Sequence, residues 1–171
     1  MQLRNVLVGC CVAFLGTAGI VAAASLSKAD SNFMVMAAKI DMTEAHEGQM
    51  AESHATRADV KDFAKKLVQD HTEAYDQITE LAAKTGVTIP RGIDTAKDKT
   101  IAQLVRLNDS RFDKQFIRDE IADHRSAITA FKREAEHGED ADVRAYATKM
   151  IPVLESHLHQ AEKCANPAAR S

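Results

Sequence analysis

Apolar residues recur at helical spacing along four long stretches of this chain. In the first, from about Ser31 to Ala55, Phe33, Met36, Ala37, Ile40, Glu44, Glu47 and Ala51 fall on one face. The second opens at Thr56, where Thr-x-x-Asp with Asp59 reads as a capping box. Its stripe is Val60, Phe63, Ala64, Leu67, His71, Ala74, Ile78 and Leu81, and Thr85-Gly86 ends it. Ser110 with Asp113 repeats the capping pattern before a third stripe: Phe116, Ile117, Glu120, Ile121, His124, Ala127, Ile128 and Phe131. Asp140 caps the fourth helix, with Val143, Tyr146, Ala147, Met150, Leu154, His157 and Ala161 inward and a kink expected at Pro152. Between the second and third stripes, residues 87–110 form a long connection broken by Pro90 and Gly92, with a short helix expected over Thr95–Leu107.

The chain carries an internal repeat. Ala58–Val68 matches Ala141–Ile151 at an offset of 83 (58 to 141), and His54 and His137 keep that offset. Two similar helical hairpins joined by a long crossover have the connectivity of ferritin-like bundles; an up-down-up-down bundle needs only a short central link. The expected fold is therefore all-α: a ferritin-like four-helix bundle over residues 30–163, its crossover carrying a short helix.

Three of the inward stripes contain a histidine at mid-helix: His71, His124 and His157. The first helix offers Glu44 at a matching depth. Counted from their own turns at 1.5 Å per residue, the four lie at depths within roughly 8 Å of one another. A buried, unpaired polar group costs a few kcal/mol, so four at one level point to a built site. Three imidazoles and a carboxylate suit Fe, Zn or Cu and disfavour Mg and Ca. Asp70, Asp123, Glu120 and Tyr75 lie within a turn and are candidates to orient or join the ligands. The alternative is a metal-free protein of the cell envelope, structural or interacting, whose hydrogen-bonded polar layer fixes helix register. A pH-sensitive imidazole layer is a further reading. On the far face of the first helix, Met42, His46, Met50 and His54 recur every four residues. They form a candidate copper ladder, or an adaptable contact face.

Composition narrows the function classes. The chain has 22 basic and 25 acidic residues, no Trp, and no basic patch interleaved with aromatics, which argues against nucleic acid as a partner. No nucleophile elbow, phosphate loop or zinc-spaced Cys pair is present, so binding is favoured over catalysis. Arg4 precedes an apolar run from Val6 to Ala24 that ends in Ala22-Ala23-Ala24, the pattern of a signal peptide over residues 1–24. An uncleaved anchor is the alternative reading. Cleavage leaves no transmembrane segment, a periplasmic or otherwise exported location, and Cys164 without an internal disulfide partner. Residues 164–171 read as a disordered tail. Self-association and a peripheral contact with the outer membrane stay open.

Several segments together resemble a known family. Met42-Thr43-Glu44 with Gly48 and Ala51, Val60–Ala64, Asp70-His71, Phe112-Asp113, His124, and Ile151–Leu158 with its Pro152 and His157 are similar to the bacterial domain-of-unknown-function 4142 family. The resemblance covers about residues 30–163. It implies an exported, ferritin-like protein, often labelled an outer-membrane protein, with Glu44, His71, His124 and His157 as its site residues. Ferritin-like oxidases carry Glu-x-x-His on two helices. Here Val68 and Leu154 stand three residues before His71 and His157, which argues against a di-iron oxidase.

Overall fold

A computed structural model describes residues 26–166, so the expected leader and residues 167–171 lie outside the described residues. Helix α1 spans Lys28–His54, α2 Ala58–Thr85, α3 Asp98–Leu104, α4 Asp109–His137 and α5 Ala141–Ala165, with a single 3-10 turn at Thr95–Lys97 before α3. There is no strand among the described residues. The long helices form the expected bundle: α1 with α2 and α4 with α5 make two hairpins, and the hairpins join through α2 against α5 and α1 against α4. No helix among the described residues is long and apolar enough to cross a membrane.

Helix α1 starts three residues earlier than the apolar pattern suggests, because the Ser27 hydroxyl accepts the Asp30 amide at 3.0 Å. Neither expected capping box forms. Asp113 instead crosses to the other hairpin, where its carboxylate accepts from the Thr56 amide (3.0 Å), the Thr56 hydroxyl (2.7 Å) and the Arg57 amide (3.0 Å). It thereby caps α2 from α4. Asp30 does the same from α1, accepting from the amides of Glu139 (3.0 Å) and Asp140 (2.8 Å) ahead of α5. Asp30 and Asp113 lie 83 residues apart, as do Thr56 and Glu139, so the repeat includes these reciprocal clamps. The expected cap at Asp140 does form, accepting from Asp142 and Val143. Helix α5 continues through Pro152. It also runs past the expected start of the tail and buries Cys164, whose Sγ lies 3.6 Å from the Asp59 carbonyl.

Apolar packing falls into two clusters. One, around Phe33, Met34, Ile78, Phe131 and Leu154, fills the end where α1 begins; the other, around Phe63, Leu67, Leu104, Phe112 and Phe116, fills the opposite end. Apart from the buried carboxyls at the two ends, such as Asp30 and Asp113, the buried polar side chains lie between them. On α1 the inward residues include Asp30, Met34, Ala37, Asp41, Glu44, Gly48 and Ala51, alternating three and four apart as in a coiled-coil seam. At Gly48 the two helices α1 and α2 pack closely: a Cβ there would meet the Ala64 carbonyl oxygen and Val68 Cγ2, each at 2.9 Å. Gly48→Ala is expected to destabilise the bundle by about 1–3 kcal/mol, measured by urea denaturation. An unchanged midpoint would mean that the helices separate freely at this crossing.

The crossover returns along the outside of α1. It is tied down by the Tyr75 hydroxyl on the Pro90 carbonyl (3.3 Å), the Gly92 amide on Met42 Sδ (3.1 Å) and the Asp94 amide on Thr43 Oγ1 (2.9 Å). Lys97 then reaches Asp123 on α4, so the segment bridges the seam between α1 and α4.

Candidate metal centre

His71, His124 and His157 meet between the two apolar clusters. Their ring centres lie 5.2–5.8 Å apart, and each side chain is at most 1% exposed. Each ring has one nitrogen committed outward. His71 Nδ1 donates to Asp41 Oδ1 at 2.9 Å, His124 Nδ1 to the Glu120 carbonyl at 2.9 Å, and His157 Nε2 to Asp70 Oδ2 at 2.8 Å. A carbonyl and an ionised carboxylate only accept, so the committed nitrogens carry the protons. The remaining lone pairs are then on His71 Nε2, His124 Nε2 and His157 Nδ1. His71 Nε2 is buried without a partner, while His124 Nε2 and His157 Nδ1 face each other at 3.2 Å. Two facing acceptors repel unless a proton or a cation lies between them. Metal–nitrogen bonds of about 2.0 Å at tetrahedral angles put ligand nitrogens about 3.3 Å apart, close to that spacing.

The electrostatics favour one positive charge here. Burial, with His71 and His157 nearby, pushes the His124 imidazole down to about 3. Burial and the neighbouring His71 bring His157 down to about 4 against the pull of Asp70. Both are neutral ligands at ordinary pH. Burial also opposes charge on His71, but the Asp41 hydrogen bond and the charges of Glu44, Asp41 and Asp70 outweigh it and raise its pKa, so the positive charge is a proton on His71 Nε2 that a bound cation would displace. Asp41 is itself raised by burial and steadied by His71 and by the Tyr146 hydroxyl at 3.3 Å.

Glu44 lies beside the triad, grouped with Glu120 and His124 within 4.8 Å, and again with Glu47 and Asp123. Glu44 Oε2 and both Glu120 oxygens are buried without a hydrogen-bond partner. Burial raises Glu44; burial and the facing Glu44 charge raise Glu120 well above the carboxylate range. The site is therefore a run of polar groups reaching from the histidines to the seam between α1 and α4.

The structure thus brings the three expected histidines together, with Asp70 and the Glu120 backbone orienting two of the rings. Tyr75 is engaged by the crossover instead. Sequence reasoning missed Asp41 as the partner of His71, and did not single out Glu47 as a site residue. The ladder on α1 is not one exposed strip. Met50 is buried and Met42 lies under the crossover; His46 and His54 are exposed, and His54 stacks on Phe112 with ring centres 5.5 Å apart. Met42 and His46 do share a cleft of about 310 Å³ with Asp41, His71, Thr72 and Tyr75, which reaches the Asp41–His71 side of the triad.

The family model for the domain of unknown function DUF4142 matches residues 16–164. The chain belongs to this family. Comparison with curated proteins finds no match. Among solved structures, CopM in its Cu(II)-bound form superposes with a TM-score of 0.68 at 16% identity, covering 81% of this chain and 96% of CopM. CopM in its Cu(I)-bound form gives 0.67 at 16% identity over 78% and 93% of the two chains. A conserved hypothetical protein of Mycobacterium tuberculosis, rv2844, gives 0.60 at 15% identity over 80% and 90%. At such identities the likeness concerns the fold.

Proposed function

We propose that this family member binds copper through His71 Nε2, His124 Nε2 and His157 Nδ1, and serves in metal handling or stress protection outside the cytoplasm. The observation that carries the reading is the facing pair of lone pairs at 3.2 Å, with each ring's other nitrogen already committed. Outward hydrogen bonds to a carboxylate or carbonyl are the usual way a protein orients imidazole ligands. Three nitrogen donors suit copper, which also stands highest among divalent first-row ions in affinity for such sites. The CopM structures bound to Cu(II) and Cu(I) support copper over the iron and zinc also considered from sequence. The cleft through Met42 and His46 supplies soft donors on the way to His71, a short remnant of the ladder read on α1. The leader expected at residues 1–24 is the basis for assigning an exported location.

The test is copper stoichiometry after dialysis against a weak chelator, for the wild type, His71→Ala and His157→Ala. One copper per chain is expected for the wild type, and less than a tenth of that for either variant. Equal copper retention by all three proteins would rule the triad out.

A further inference from the structure

The polar run ends at a second group of oxygens that the copper reading does not use. Glu44, Glu47 and Asp123 each bring a carboxylate oxygen within 4.8 Å of the others, and Glu44 and Glu47 are at most 4% exposed. Glu44 Oε2 is buried without a hydrogen-bond partner. The positive group at this place is the Lys97 ammonium, which pairs with Asp123 and whose own charge is favoured by Asp123, Glu47 and Glu44. Burial raises the Glu44 carboxyl, and burial with the Glu44 charge pushes Glu47 up to about 8, so without an ion these groups hold protons that a divalent cation among the three carboxylates would displace.

The place is also reachable. A cavity of about 500 Å³ runs between α1 and α4 beneath the crossover, and Thr43, Glu44, Lys97 and Asp123 line it. Lys97 holds its post at the end of a flexible four-carbon stem, set on the short 3-10 turn of the crossover rather than on the bundle. An ammonium held in this way can swing aside. An all-oxygen donor set prefers a hard divalent ion such as Mn²⁺ or Mg²⁺ and is a poor site for Cu(I).

We propose that Glu44, Glu47 and Asp123 form a second cation site, specific for an oxygen-seeking divalent ion, at which the Lys97 ammonium stands in when no ion is bound. The two sites differ in donor chemistry, and the inference is independent of copper at the histidines.

Mn²⁺ is the probe, because its free aqua ion gives an electron paramagnetic resonance signal that falls on binding. The wild-type protein is expected to take up one Mn²⁺ per chain. Glu47→Gln and Asp123→Asn should each weaken that binding at least about tenfold, since each removes a charged ligand. Lys97→Met should strengthen it by about tenfold, because it removes the competing charge. His71→Ala should still take up one Mn²⁺ per chain whether or not copper is lost. Asp123 is a partly exposed rim residue, so its variant keeps the test valid if the buried Glu47→Gln protein folds poorly. Wild-type Mn²⁺ affinity in Asp123→Asn, weaker binding in Lys97→Met, or loss of Mn²⁺ in His71→Ala would each overturn the proposal. So would the absence of stoichiometric binding to the wild type.

Discussion

Copper at about a hundred times its dissociation constant is expected to raise the melting temperature of the wild-type bundle by roughly 5–10 °C, and that of His124→Leu by nothing. A ligand that binds only the folded chain at this excess adds about 2.7 kcal/mol of stability. For a domain of this size each kcal/mol moves the midpoint by about 2–4 °C. His124 is the decisive position because its Nε2 faces His157 Nδ1 at 3.2 Å and its Nδ1 is already held by the Glu120 carbonyl. Leu fills a similar volume without a ligand atom. Metal-free His124→Leu should be at least as stable as the metal-free wild type, because it removes a desolvated imidazole that faces another acceptor. Melts followed by circular dichroism, with and without copper, measure both effects. A copper shift of the same size in the variant would mean that the ion binds elsewhere, on the exposed histidines for example.

The second large effect is expected at the clamps. Asp113→Ala removes the acceptor of three hydrogen bonds just ahead of α2 and leaves two backbone donors of the turn, Thr56 and Arg57, without their partner. Hydrogen bonds to a charged group contribute about 1.5–3 kcal/mol each and do not add fully, so a loss of roughly 3–5 kcal/mol is expected. Asp30→Ala removes two such bonds at the other end and should cost somewhat less. The clamps sit at opposite ends of helices about 40 Å long, so the double variant should show the two losses nearly additively. Burial works to raise Asp30, but the amides of Glu139 and Asp140 outweigh it and hold its carboxyl below the ordinary aspartate value. A depressed folded-state value gives stability that is present above the ordinary pKa and lost as pH falls through the folded one. The penalty of Asp30→Ala should therefore shrink in acid. Urea titrations at pH 7 and pH 3 measure this, and a penalty that stays constant across that range would refute the charged clamp.

The architecture was legible because it rests on periodicity and on a repeat. The convergence of His71, His124 and His157 followed from depth along each helix. Asp41 and Asp30 were not legible, and the reason is physical. Their positions belong to the three-four seam of α1, but the seam there consists of Asp30, Asp41, Glu44 and Gly48 interleaved with Met34, Ala37 and Ala51. The more apolar Met36 and Ile40 drew the stripe one position aside, although both are only partly buried. The capping boxes failed for a related reason. A local Thr-x-x-Asp pattern cannot reveal that Asp113, 57 residues away, already satisfies the same amides. Met50 was read as surface because α1 was assumed to have one wet face. The crossover and the end of the bundle cover part of that face.

The reciprocal clamps also bear on how the chain folds. Each hairpin supplies the carboxylate that completes the other's turn, so neither hairpin has a finished turn by itself. The unit of cooperative folding is then the pair. An isolated hairpin would form its contacts at the cost of exposed amides at one tip and a stranded carboxylate at the other. The polar layer adds to this, because its three imidazoles come from both hairpins and line up only after docking. The two halves are thus alike in sequence, yet each takes the carboxylate that completes its turn from the other.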